Sequence, residues 1–395
     1  MACGASVAER GLPKTRDEHS PDGTRCSMIS KTPGVNTRGR SRLLNLALLV
    51  ASIAAALVVG EIVLRLMGWT PMYVSPERDR FWRYDPLLGW AHLPEQLGVL
   101  ETQQFRISVR INHRGLRDRE HSYQRPSGIE RILLLGDSFA WGYGVEAEER
   151  FSQSLESSMG VEVINAAVSG YSTDQELLWL RTEGVRYEFD LMILALAGND
   201  IGDNQRQLVH TIYYKPRFVS DGNQLVLQGY PAPRTSGPGR VAYWLSQRSA
   251  LAFFLVQRYF ELQSSFQGNG GPSQQAEAAG DGPETTSGPF DLTIALLAEM
   301  RTIAESRDAP FVIVATQRWW NAPAGATYQD FIAALRAERY LVLDVEALPG
   351  FQPEAMVIPR DGHWNSAGHA FVAEQIQRLI ETQQLVHARE SAAPR

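Results

Sequence analysis

Five short apolar runs, spaced by segments of helical periodicity, constrain the folding of this 395-residue chain more than any other feature. They are ERILLLGDS (130–138), GVEVINAAVSG (160–170), DLMILALAGND (190–200), APFVIVATQ (309–317) and RYLVLDV (339–345). Each is apolar along its length rather than alternating, the pattern of a strand buried on both faces. Residues 147–159, 173–187, 291–306, 327–338 and 366–383 repeat their apolar positions at helical spacing. Strands alternating with helices predict a flavodoxin-like three-layer α/β/α sandwich around a central parallel sheet. Ligands of such sheets bind at the carboxyl ends of the strands.

A different constraint precedes the sheet. Residues 43–60 read LLNLALLVASIAAALVVG without a charge, and EIVLRLMGW follows. A bilayer core of roughly 30 Å takes about 20 apolar residues in a helix, so 43–67 is expected to be one transmembrane anchor. The apolar core of a cleaved signal peptide is shorter, about 7–15 residues. Glu61 and Arg65 stand one helical turn apart near the outer end, and Trp69 and Tyr73 suit the headgroup belt. Arg10, Lys14, Arg16, Arg25, Lys31, Arg38, Arg40 and Arg42 precede the segment, so the positive-inside rule keeps the amino terminus cytoplasmic and exports the rest. The expected arrangement is single-pass, with the main domain on the exported side of the membrane.

Around these features, residues 1–42 have the composition of a disordered tail, and 68–128 read as a strand-bearing, membrane-proximal collar containing the alternating run FRISVRIN (105–112). Residues 129–385 form the main domain, interrupted by an insertion over 202–290, and 386–395 are a tail. Within the insertion, 213–230 suggests a hairpin around Asp221-Gly222, 240–265 an amphipathic helix, and 267–289 a flexible loop. The net charge of −6 offers no basic field for a phosphate backbone, which argues against nucleic acid. Cys3 and Cys26 both precede the anchor, which excludes a disulfide framework or zinc-thiolate site from the exported part.

Chemistry-bearing residues fall where the sheet wants them. Gly136-Asp137-Ser138 ends the first run, Gly170 follows the second, Gly198-Asn199-Asp200 ends the third, and Asp361-Gly362-His363 stands before the last helix. A serine hydroxyl needs an adjacent base, and that base needs a partner fixing its tautomer. Ser138, His363 and Asp361 suit these roles, with Asp344 the alternative partner. Gly170, Asn199 and the Ser138 N–H suit an oxyanion hole. Serine context G-D-S-F-A departs from the G-x-S-x-G elbow. Metal binding by Asp361, His363 and His369 would leave the Ser and Asn segments unexplained, so no metal or cofactor is expected. Asp137 and Asp200 read as turn residues, His369 as structural and His210 as exposed. Arg318-Trp319-Trp320 follow the fourth strand, where aromatic faces suit a sugar ring and a packed loop is the alternative.

The order LLLGDSFAWG, NAAVSGYST, LALAGND, DGHWNSAGH resembles the motif blocks of the SGNH (GDSL) hydrolase superfamily over residues 105–383. The lead-in INHRGLRDRE (111–120) is similar to that of membrane-anchored bacterial members. The commoner family pattern has two residues between Asp and His, and this chain has one, Gly362. The resemblance implies an esterase using Ser138, His363, Asp361, Gly170 and Asn199 on acyl, foremost acetyl, esters of an extracytoplasmic glycan or small molecule. It equally allows an O-acyltransferase acting on an exported polysaccharide, and a non-catalytic glycan-binding or assembly protein stands as a third reading.

Overall fold

The computed structural model describes residues 37–69, 80–209, 213–221, 224–235, 237–256, 258–259 and 288–386. The chain divides into two units, residues 1–58 and 59–395. Helix α1 (Thr37–Leu66) begins upstream of the expected anchor, so residues 37–42 are helical rather than irregular. Once an apolar nucleus exists, extending a helix costs little. Within α1, Leu44–Leu66 is long and apolar enough to cross a membrane: 23 residues at 1.5 Å each reach about 34 Å against a core of roughly 30 Å. Tyr73, His210 and the loop over 267–287 lie outside the described residues, as do residues 1–36 and 387–395.

Two antiparallel hairpins come next, β1 (Trp82–Asp85) with β2 (Gly89–His92), and β3 (Leu97–Glu101) with β4 (Arg106–Arg110). Alternation in β4 turns Ile107 and Val109 inward and Arg106, Ser108 and Arg110 outward. The main domain follows with β5 (Arg131–Gly136), α2 (Ser138–Trp141), α3 (Phe151–Met159), β6 (Glu162–Asn165), α4 (Thr173–Thr182), β7 (Leu191–Ala197) and α5 (Asp200–Asp203). The insertion holds β8 (Leu208–Val209) paired with β9 (Tyr213–Tyr214), then the hairpin β10 (Arg217–Asp221) and β11 (Gln224–Gln228). Helix α6 (Gly237–Ser246) and a second helical stretch over 250–256, α7, divide the single helix expected over 240–265, whose end over 260–265 lies outside the described residues. The chain closes with α8 (Asp291–Glu305), β12 (Phe311–Thr316), α9 (Tyr328–Ala337), β13 (Leu341–Asp344), α10 (Pro353–Met356) and α11 (Ser366–Gln383).

Strands β6, β5, β7, β12 and β13 pair in that order, all parallel. This is the flavodoxin-like order, which reverses direction between β5 and β7 and opens a crevice at their carboxyl ends. Successive residues of a strand face opposite sides of the sheet. Leu133, Leu135, Met192, Leu194, Phe311 and Ile313 accordingly pack under α4, α8 and α9, while Ile132, Leu134, Leu191, Ile193, Val312 and Val314 pack under α3 and α11. The hairpins join these cores: Leu88 and Trp90 enter the first, Leu100, Ile107 and Val109 the second.

Two buried histidines make the fold acid-sensitive. His369 accepts from the Phe151 amide at 3.3 Å, and burial, with Arg150 and Arg117 nearby, pushes it down to about 3. His92 accepts from the Trp141 indole at 2.9 Å, and burial pushes it down to about 4. Each depressed pKa means that the unfolded chain takes up the proton first. The stabilisation is complete above the unfolded value and is lost as pH falls toward the folded value. Between pH 6.5 and 4 the native chain is therefore expected to lose on the order of 3 kcal/mol relative to a His369→Gln variant. Urea unfolding of both proteins in detergent at the two pH values checks this.

Candidate active site

Ser138 sits at the β5–α2 junction, where the chain must turn sharply. Gly136 makes the turn at φ +154°, and a Cβ there would come within 3.0 Å of Ala140 and Ala195. Asp137 caps α2 by accepting from the Phe139 amide at 2.9 Å. The Ser138 hydroxyl lies 3.4 Å from Asp137 Oδ2, long for an O–H···O bond, so a χ1 rotation frees it at little cost.

His363 and Asp361 come together as a dyad. Asp361 Oδ1 accepts from His363 Nδ1 at 2.5 Å and from the His363 amide at 3.2 Å. With a single residue between them, the carboxylate must fold back, and Gly362 permits this at φ +103°. A Cβ at Gly362 would also meet Trp319 Nε1 at 3.0 Å. The dyad leaves Nε2 as the basic nitrogen, and it has no hydrogen-bond partner among the described residues. The imidazole is held by rings of Trp319 and Tyr143 with centroids at 4.5 and 4.6 Å, and by Phe139 at 5.1 Å. Asp344, the alternative partner, is buried at the end of β13 and accepts from the Tyr328 hydroxyl.

A cavity of about 610 Å³ is lined by Ser138, Gly170, Asn199, Asp361 and His363 together. Gly170 lies in the loop after β6 at φ +84°. That loop is clamped by β2, since Trp90 donates its indole N–H to the Ser169 carbonyl and the Tyr171 hydroxyl donates to the Trp90 carbonyl. Asn199 Nδ2 donates to Asp203 Oδ2 at 2.9 Å, which holds the amide and leaves its second N–H available. The Trp319–Trp320 pair divides: Trp319 lines the cavity at φ +54°, whereas Trp320 packs on Phe290, Tyr328 and Phe331 in the first core. Arg318 pairs with Glu346 at 3.5 Å.

Buried carboxyl groups lie beneath the cleft. Burial pushes Asp137 up to about 6, against the pull of the Phe139 amide and His363. Burial also raises Asp200 and Glu176 well above the usual carboxylate range, each reinforced by its acidic neighbours. Asp200 accepts from Thr173 at 3.0 Å, the turn-holding role read from the sequence.

Several contributors escaped the sequence reading. Trp82, Trp90 and Tyr143 line the cavity from outside the expected motifs. Asp203 had a usable signal, four residues after Asn199 on a short helix. Arg117, inside the INHRGLRDRE segment, is buried and donates to the carbonyls of Trp141, Gly142, Val145 and Ser108 at 2.7–3.1 Å. It ties the end of α2 to β4, with its guanidinium 4.3 Å from the Trp141 ring.

Fold and cleft together define the class, a three-layer α/β/α domain with a serine, an asparagine and an aspartate–histidine pair lining one cleft at the carboxyl ends of its parallel strands. Residues 134–215 match the model of the GDSL-like Lipase/Acylhydrolase family. Comparison with curated proteins finds no match. Among solved structures, the chain is similar to TesA at 14% identity, covering 64% of this chain and 99% of that one, with a TM-score of 0.34. A two-domain esterase active on acetylated mannans, co-crystallised with mannopentaose, shares 14% identity over 67% of this chain and 52% of its own length, with a TM-score of 0.34. A GDSL-like lipase from Bacteroides thetaiotaomicron VPI-5482 shares 13% over 64% and 89%, with a TM-score of 0.32.

Proposed function

We propose that the chain is a membrane-anchored serine esterase that hydrolyses acyl, foremost acetyl, esters on an extracytoplasmic glycan or small ester. The observation that carries this reading is the Asp361–His363 dyad, its Nε2 without a protein partner among the described residues, opening into the same cavity as Ser138 and Asn199. Ser138 Oγ attacks the ester carbonyl carbon while His363 Nε2 takes the hydroxyl proton. Asp361 fixes the tautomer and stabilises the imidazolium. The oxyanion accepts from the Gly170 N–H and Asn199 Nδ2, and Asp203 positions the latter. His363 returns the proton to the departing alcohol, and water, activated by the same imidazole, cleaves the acyl-enzyme.

Trp82, Tyr143 and Trp319 give the cavity aromatic walls of the kind that stack on a sugar ring. In this reading residues 1–42 are a cytoplasmic tail, 43–67 the anchor, 68–128 the membrane-proximal collar, and 129–385 the hydrolase domain with its insertion at 202–290. Incubating the full chain with a labelled acetyl ester, with and without polysaccharide, tests the reaction. Acetate release independent of the glycan is expected, whereas label appearing on the glycan would make the chain an O-acyltransferase.

The role of Asp361 has its own test. Asp361→Asn is expected to lower kcat by roughly 10²–10⁴-fold with KM little changed, because the wrong histidine tautomer is then favoured. Asp344→Asn is expected to leave kcat within a few-fold, and steady-state kinetics on the two variants decides between the two carboxylates.

A further inference from the structure

We infer that residues 237–259 form a second membrane contact, with α6 and α7 lying in the headgroup region of an anionic bilayer beside the outer end of α1. The inference rests on the reading of Leu44–Leu66 as a membrane span.

Three observations lead to it. First, this segment is fastened to the last turns of α1. The Glu61 carboxylate accepts from the Ser249 hydroxyl at 2.8 Å and from the amides of Ala250 and Leu251 at 3.0 and 2.9 Å. It thereby satisfies the orphan N–H groups at the start of α7, a task usually left to a local cap. Arg65 pairs with Glu61 at 2.7 Å, and Trp69 packs edge-on against Phe254 at 5.0 Å. This explains why the helix expected over 240–265 breaks near Ser249.

Second, the segment exposes large apolar groups. Val241, Trp244 and Leu245, at i, i+3 and i+4 and hence on one helix face, are 58%, 52% and 42% exposed, and Leu255 is 54% exposed. Water is a poor solvent for such a face. The upper acyl region accepts it, particularly as it continues from a span that enters the same layer.

Third, the charge is of one sign. Residues 237–259 contain Arg240, Arg248 and Arg258 and no acidic residue, in a chain whose net charge is −6. Arg248 lies 4.3 Å over the Trp244 ring and Arg258 lies 5.2 Å over Phe254. Arginine beside aromatic rings suits the boundary between anionic headgroups and acyl chains.

The test uses the full chain carrying Cys3→Ser and Cys26→Ser, reconstituted in phosphatidylcholine–phosphatidylglycerol liposomes. Single cysteines at Val241→Cys, Leu255→Cys, Ile53→Cys and Glu338→Cys carry an NBD fluorophore, and retained ester turnover verifies folding. Probes at 241 and 255 are expected to lose roughly half their emission to lipids bearing a shallow doxyl quencher and to resist aqueous iodide, as for groups ~5–10 Å inside the interface. The probe at 53 should respond to a deep quencher, and the probe at 338 to iodide alone. Iodide access at 241 and 255 with deep quenching at 53 overturns the interfacial contact while the span stands. Protection from both quenchers at 241 and 255 means a protein covers the face, and also overturns it. Loss of deep quenching at 53 overturns the span and, with it, the interfacial contact that rests on it.

Discussion

Ser138→Ala is expected to lower kcat on a simple acyl ester by roughly 10⁴–10⁶-fold, with KM and thermal unfolding nearly unchanged. The size follows from the loss of the nucleophile, since the remaining oxyanion donors and binding contacts still act on the substrate. Stability should be spared because the hydroxyl makes only the 3.4 Å approach to Asp137, while the cap of α2 is made by the Asp137 side chain. Steady-state kinetics and a melting curve check both halves. A variant that keeps turnover within tenfold of the native chain, with its fold intact, would point to the non-catalytic reading.

The second large effect concerns Arg117. Replacing it with Met is expected to destabilise the chain by about 3–5 kcal/mol, because four carbonyls, three of them on buried residues, lose their donor at once. Burial, and the charge of Arg150 beside it, push the guanidinium well below its usual range, and the carbonyls offset that penalty. A lysine has one ammonium and lacks the planar fork, so Arg117→Lys is expected to recover only part of the loss. The bonds to Trp141 and Gly142 fix the carboxyl end of α2, so kcat should fall as well, by less than for Ser138→Ala. Denaturant unfolding of the three proteins measures the first effect. Equal stabilities would mean that Arg117 does not hold the nucleophile segment.

How much of this was legible in the sequence depended on whether the cause was local. The parallel sheet was, because a strand buried on both faces must be apolar along its length, as β7 is throughout and β5 and β12 are apart from Arg131 and Thr316 at their ends. Helix α11 was legible in full, Ser366–Gln383, since its apolar period runs unbroken from the Asn365 cap. Other features depended on partners far away in the chain. The break between α6 and α7 is set by Glu61, nearly two hundred residues earlier, and no local breaker marks it. Arg150 separates a short turn over Ala147–Glu149 from α3 because its side chain is drawn to Asp118 and the Arg117 carbonyl.

At the site, the residue types were legible and the supporting contacts were not. Ser138, Gly170, Asn199 and His363 line one cavity, the first three from the ends of strands and His363 from the segment just before α11. The single residue between Asp361 and His363 looked like a departure from the commoner pattern, and the backbone shows its physical solution, a glycine at positive φ. That Asp361, and not Asp344, meets His363 could not be read from spacing, because both stand at the carboxyl end of the sheet. Trp82 and Trp90 were hidden for another reason: they belong to hairpins whose approach to the cleft is a tertiary event.

The central claim is that Ser138 is a nucleophile activated by His363, and a fluorophosphonate probe tests it most directly, without knowledge of the natural substrate. Native full-length chain, treated with the probe and mapped by peptide mass spectrometry, should carry the label on Ser138. Labelling should be abolished by Ser138→Ala and slowed by His363→Gln. Absence of label from Ser138 in the folded native chain, or labelling that proceeds at the same rate without His363, would contradict it.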